Sequence, residues 1–126
     1  SECCCVNIGN PHAVFFCDDA DAVDLSTIGP ILEKNKMFPQ GANIEFATVK
    51  SNSKIRMRVW ERGAGITEAC GSGACAVLVA AARNSLTARK AEVILDGGSL
   101  NIEWIDDGSI LMTGPTTVSF RGEISF

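Results

Sequence analysis

The chain of 126 residues is long enough for one domain with a real core, and its 46% apolar and 21% charged content is that of a folded chain. A net charge of −4 without any basic cluster argues against nucleic acid or an anionic membrane surface as a partner. No apolar run approaches the roughly 20 residues that a membrane-spanning helix needs.

Six cysteines would suit three disulfides, but Cys3, Cys4 and Cys5 are consecutive and the apolar content needs no staple. Free thiols in a reducing cytoplasm are the expectation, and the opening residues lack the basic segment of a secretory signal. No metal is expected, because His12 is the single histidine and no C-x₂-C pair occurs outside the Cys3–Cys5 run.

In chain order, residues 3–8 read as a strand that stops at Gly9-Asn10-Pro11-His12, a turn in which Pro11 biases Asn10 toward extended backbone. Residues 13–17 resume as a second strand, and the acidic 18–24 reads as a solvated loop. Apolar positions 25, 28, 31 and 32 have helical spacing over 25–34, with Asp24 or Ser26 as cap and Gly29-Pro30 as an interruption. Residues 43–49 and 55–61 alternate and flank a hairpin-like 50–54. The first places Ile44, Phe46 and Thr48 on one face, the second Ile55, Met57 and Val59. Strands are expected again at 91–95, 100–105, 110–113 and 118–124, separated by Gly97-Gly98 and Asp106-Asp107-Gly108 turns.

Between the two groups of strands lies Glu61-Arg62-Gly63-Ala64-Gly65, followed by Cys70-Gly71-Ser72-Gly73-Ala74-Cys75 and the run 76–82, apolar on every side. A helix hydrophobic all round is a buried one, so a central helix is expected over 72–84. With about eight strands, the reading is an α+β domain whose curled, mostly antiparallel sheet wraps around that helix. Cys70 then lies where backbone N–H groups lack intrahelical partners. There the helix dipole favours thiolate, and the same amides can hold an anion.

Spacing excludes several thiol chemistries. A Cys-x₅-Arg phosphate loop would need Arg where Ala76 stands, the P-loop Gly-Lys-Ser/Thr is missing, and a papain-like site expects a downstream histidine. Each residue also has a plainer reading. Cys70 and Cys75 could be small packing residues, His12 a turn cap, Asn10 and Asn43 local turn anchors, and Glu61-Arg62 a surface ion pair.

The same residues carry a resemblance. Glu61-Arg62-Gly63-Ala64-Gly65 with Ala69 to Ala76, preceded by Gly9-Asn10-Pro11-His12 and Gly41-Ala42-Asn43-Ile44-Glu45-Phe46 and followed by Met112-Thr113-Gly114-Pro115-Thr116, resembles the diaminopimelate epimerase family over nearly the whole chain. The resemblance implies a cofactor-independent isomerase of two similar halves, each with one acid/base cysteine, acting on diaminopimelate in lysine and peptidoglycan-precursor biosynthesis. It implies that Cys70 is one of the two cysteines and that Gly71 and Ser72 offer amides to the substrate α-carboxylate. Asn10, Asn43 and Arg62 would line the pocket, and Glu61 would bind the substrate ammonium and act with His12 in tuning the thiols. The family's other half carries a Cys-Gly-Asn-Gly type segment that is not in this chain. The chain therefore resembles the C-terminal half alone, expected to be inactive by itself, with its oligomeric state open to a homodimer. The remaining readings are a proline-racemase-like enzyme, a phenazine-biosynthesis-type isomerase, and a non-catalytic module such as a thiol redox sensor.

Overall fold

The computed structural model describes residues 3–114 and the backbone of 121–125. Nine strands, β1 Cys3–Asn7, β2 Pro11–Phe16, β3 Asn43–Ser51, β4 Lys54–Glu61, β5 Gly65–Thr67, β6 Lys90–Leu95, β7 Gly98–Trp104, β8 Ser109–Thr113 and β9 Arg121–Ser125, form one sheet among the described residues. Its order is β1-β2-β3-β4-β6-β7-β8-β9, with β5 paired to β4. The helices are α1, Leu25–Glu33, and α2, Gly71–Arg83. The expected α+β architecture and the expected strands recur, except that residues 118–120 lie outside the described residues.

Two pairings depart from the hairpin pattern. β2 runs parallel to β3 and β4 parallel to β6, while the remaining pairs are antiparallel. Parallel neighbours need a crossover, and α1 and α2 lie in the two connections. The hairpin signals could not disclose this, because they report only on chain neighbours.

α2 is the axis of the core. Ala74, Cys75, Ala76, Val77, Leu78, Ala80 and Ala81 have no exposed surface. Around them close Val14, Ile55, Met57, Val59, Val93, Ile102 and Ile110 from β2, β4, β6, β7 and β8. The helix ends at Asn84, whose N–H bonds back to Ala80 O, and Ser85 turns the chain out with φ 59°.

A second cluster lies on the opposite face of the sheet, under α1. It holds Ala13, Phe15, Leu25, Ile44 and Phe46, with Phe15 and Phe46 stacked 5.2 Å apart. α1 lies so close to β4 that a Cβ on Gly29 would stand 2.5 Å from the Trp60 ring. Glycine inside this helix is thus explained by contact, and Trp60 Nε1 donates to Glu33 Oε1 at 2.7 Å. Asp24 occupies the N-cap position, but its carboxylate accepts from the Ser26 and Thr27 hydroxyls and not from a backbone amide.

One reading needs correction, and two further features go beyond the expected elements. The acidic 18–24 is not simply solvated: it contains a single 3-10 turn, Ala20–Ala22, with Ala20 fully buried and its N–H donating to Thr48 Oγ1. Strand β3 is buried on both faces over its first six residues, since α1 covers one side and α2 the other. The Gly-rich 61–65 segment leads into β5, which pairs back on β4 with Glu61 opposite Gly65.

Candidate active site at the start of the central helix

Cys70 is the N-cap of α2, with extended backbone (φ −145°, ψ 96°). Its Sγ accepts from the Gly73 N–H at 3.3 Å, the bond a capping side chain makes to the third helical amide. Sγ also lies 3.7 Å from Ser72 Oγ. The amides of Gly71 and Ser72 belong to the same first turn, where no intrahelical carbonyl precedes them.

From Ser72 a line of polar contacts runs inward. Asn10 Nδ2 donates to Ser72 Oγ at 3.4 Å, Asn10 Oδ1 lies 3.1 Å from His12 Nε2, and His12 Nδ1 lies 2.8 Å from Glu45 Oε2. His12 is not a turn cap. It is the second residue of β2, opposite Asn43 of β3, and its side chain is fully buried, as is that of Glu45.

Glycine at position 73 lets the thiol and the carboxylate converge. A Cβ there would stand 3.0 Å from Cys70 Sγ and 3.1 Å from Glu45 Oε2. Glu45 stands within the Gly41–Phe46 motif of the resemblance, which implies no role for it. A carboxylate in an alternating strand reads as a solvent-facing residue, and only the covering of both faces of β3 places it inside. The one available signal was its position between Asn43 and Ala47 in a segment otherwise suited to a core.

The other residues of the resemblance lie around this line. Asn43 is a stitch between segments: its Nδ2 donates to Pro11 O at 3.2 Å and its Oδ1 accepts from the Arg62 N–H at 2.8 Å. Arg62 Nη1 donates to Gln40 O at 3.2 Å, and its side chain lines a depression of about 540 Å³ with Gly9, Pro11, Phe38 and Gln40. Glu61 Oε2 accepts from Thr67 Oγ1 across the β4–β5 turn. The Glu61–Arg62 ion pair is not formed, and the partner of His12 is Glu45 and not Glu61.

The expectation of a thiolate at Cys70 is also corrected. Burial pushes the Cys70 thiol up, and the charges of Glu61 and Glu45 push the same way, against the hydrogen bonds of Ser72 and Gly73. Only 7% of Cys70 is exposed, so the loss of water outweighs the two hydrogen bonds that favour its ionised form. Burial likewise raises Glu45, with the hydrogen bond and charge of His12 opposing it. All six cysteines are free thiols. Among the described residues no cluster of three or more His, Cys, Asp or Glu is placed to hold a metal, and no helix is long and apolar enough to cross a membrane.

With this geometry in place, the comparisons with known proteins are specific. The chain is 64% identical to the diaminopimelate epimerase of Rhodospirillum centenum, over 98% of this chain and 43% of that protein. For the diaminopimelate epimerase of Acidiphilium cryptum the figures are 55%, 94% and 43%, and for that of Erythrobacter litoralis 54%, 93% and 44%. The chain thus spans less than half the length of the curated relatives it matches. Among solved structures, a phenazine biosynthesis protein of the PhzF family from Enterococcus faecalis aligns with TM-score 0.63 at 14% identity, over 82% of this chain and 37% of its own. One from Bacillus anthracis aligns at 0.58 and 23%, over 84% and 34%. These two share the fold, and at that identity the likeness stops there. The family model for diaminopimelate epimerase matches residues 4–119. The chain belongs to the diaminopimelate epimerase family.

Proposed function

We propose that this chain forms one half of a cofactor-independent, cytoplasmic diaminopimelate epimerase, and that the other half of the same polypeptide supplies a second cysteine. The observation that carries the reading is the position of Cys70: a nearly buried thiol capping the central helix, at the end of a polar line that includes the family's histidine and asparagine.

Inverting a carbon centre through a planar carbanion needs a base on one face and an acid on the other. Cys70 serves one face. Because burial holds it as a thiol, its resting form is the proton donor, whose S–H bond breaks as the new C–H bond forms. In the opposite direction its thiolate takes the proton, and the C–H electron pair passes toward the α-carboxylate. That carboxylate would rest on the amides of Gly71 and Ser72, where the helix terminus disperses the developing charge. Arg62 and Asn10 line the pocket for the distal amino-acid end, and Glu61 takes the ammonium. One half alone supplies one face, so the isolated chain would not epimerise.

The test is the full-length protein incubated with LL-diaminopimelate in deuterium oxide. The reading requires the meso isomer to appear with deuterium at the inverted α-carbon. Substrate recovered without either change would overturn it.

A further inference from the structure

We propose that Glu45 is a positioning residue of this site, fixing which nitrogen of His12 donates and thereby ordering the Asn10–Ser72–Cys70 line. The ordering is argued from geometry; its kinetic consequence rests on the epimerase reading above.

Glu45 faces α2, on the side of β3 that also carries Ala47. It is fully buried, and its Oε1 has no hydrogen-bond partner among the described residues. A buried carboxyl group with one oxygen unpartnered costs stability, and an apolar side chain of similar volume would fill the space more cheaply. A carboxyl group in that place, converging with the Cys70 thiol over Gly73, calls for a role.

The hydrogen bonds define that role. Asn10 donates through Nδ2 to Ser72 Oγ, which leaves Oδ1 to face His12 Nε2. An amide oxygen only accepts, so Nε2 must carry a hydrogen. His12 Nδ1 and Glu45 Oε2, 2.8 Å apart, therefore share a single proton. Whether that proton sits on nitrogen or oxygen, the pair is neutral overall and Nε2 remains the donor. Without Glu45 nothing at Nδ1 would choose this arrangement. His12 could then present a bare Nε2, Asn10 would turn over, and Ser72 would lose its donor. The ionisable groups whose charges act with that of Glu45 are His12 on β2, Glu61 at the end of β4 and Cys70 at the start of α2, with Cys3 of β1 on the opposite face of the sheet. Only His12 among them lies at hydrogen-bond distance from it.

The experiment uses the full-length protein with Glu45→Leu and Glu45→Gln. Leu removes the partner of Nδ1; Gln keeps an N–H that holds Nδ1 as acceptor. Glu45→Leu is expected to lower kcat by about 10–100-fold, the size of misplacing a catalytic group by an ångström, with KM changed by less than about twofold. Glu45→Gln is expected to recover most of that loss. Circular dichroism checks that both variants are folded. Wild-type kcat in Glu45→Leu, or equal loss in both folded variants, overturns the proposal. Independently of turnover, ¹⁵N NMR of His12 in the unmodified protein should find Nε2 protonated. A neutral ring with a bare Nε2 would refute the assignment even if neither variant folds. If the unmodified protein does not epimerise at all, the function fails while the NMR result still decides the role of Glu45.

Discussion

Cys70 and Cys75 are the same residue on the same helix, about a turn and a half apart, and their surroundings give them different chemistry. Cys75 has no exposed surface, and its thiol is pushed up to about 12, first by burial and then by Cys70. Cys70 is also raised by burial, but Gly73 and Ser72 direct hydrogen bonds to it that favour its ionised form, and a small part of it reaches the surface. The first turn of α2 holds polar groups in place; the turns that follow only pack. A thiol can exchange protons with a substrate in the first environment and has no means to do so in the second.

Five results would sharpen or break this contrast. Leu78→Ala, in the packing part of the helix, should cost about 2–5 kcal/mol in denaturant unfolding because Leu78 is fully enclosed. It should leave kcat of the full-length protein unchanged well below the melting temperature. Gly73→Ala, in the polar turn, should do the opposite: turnover falls by about tenfold or more as the new methyl forces apart Cys70 Sγ and Glu45 Oε2, while the loss of stability stays smaller than for Leu78→Ala. Cys75→Ala should keep kcat near the original value and cost about 1 kcal/mol from a small cavity; a collapse of turnover would erase the contrast.

The smallest effect is in pH. Both thiols are raised from 9.0 in the folded chain. The unfolded chain therefore gives up these protons first, and stability is full below about pH 9 and declines as pH rises toward 12. Cys75→Ala should flatten that decline. In the folded protein, iodoacetamide followed by peptide mass spectrometry should find Cys70 unreactive near pH 7, labelled increasingly above pH 9, and ahead of Cys75 throughout. Fast labelling of Cys70 at pH 7 would restore the thiolate that the helix-terminus argument implied.

Cys70 marks both what was legible in the sequence and what was not. The all-apolar run 76–82 and the glycines before it were sufficient to place Cys70 at the head of a buried helix. The alternation of Ile55, Met57 and Val59 gave β4 its inward face, and these are local patterns. Desolvation of Cys70 is not local, since it depends on what closes over the thiol. The same holds for Glu45, which looked like the polar face of a strand until α1 and α2 covered both sides. His12 gave the signal of a turn because of Asn10-Pro11, yet the parallel pairing with β3, made possible by the α1 crossover, carries it beside Glu45. The resemblance to one half of a two-domain protein also implies that the last strand packs partly against the other half and leaves apolar surface exposed, and its side chains lie outside the described residues.

The central claim is that Cys70, and not Cys75, carries a proton to or from the substrate. Its most direct test is solvent deuterium exchange at the α-carbon of diaminopimelate, catalysed by the full-length protein bearing Cys70→Ala and, in parallel, Cys75→Ala. Conversion of LL to meso with deuterium at the inverted carbon is predicted to fall by about a thousandfold or more in the first, with the fold intact, and to persist in the second. Turnover by the Cys70→Ala protein within tenfold of the unmodified enzyme would contradict the account.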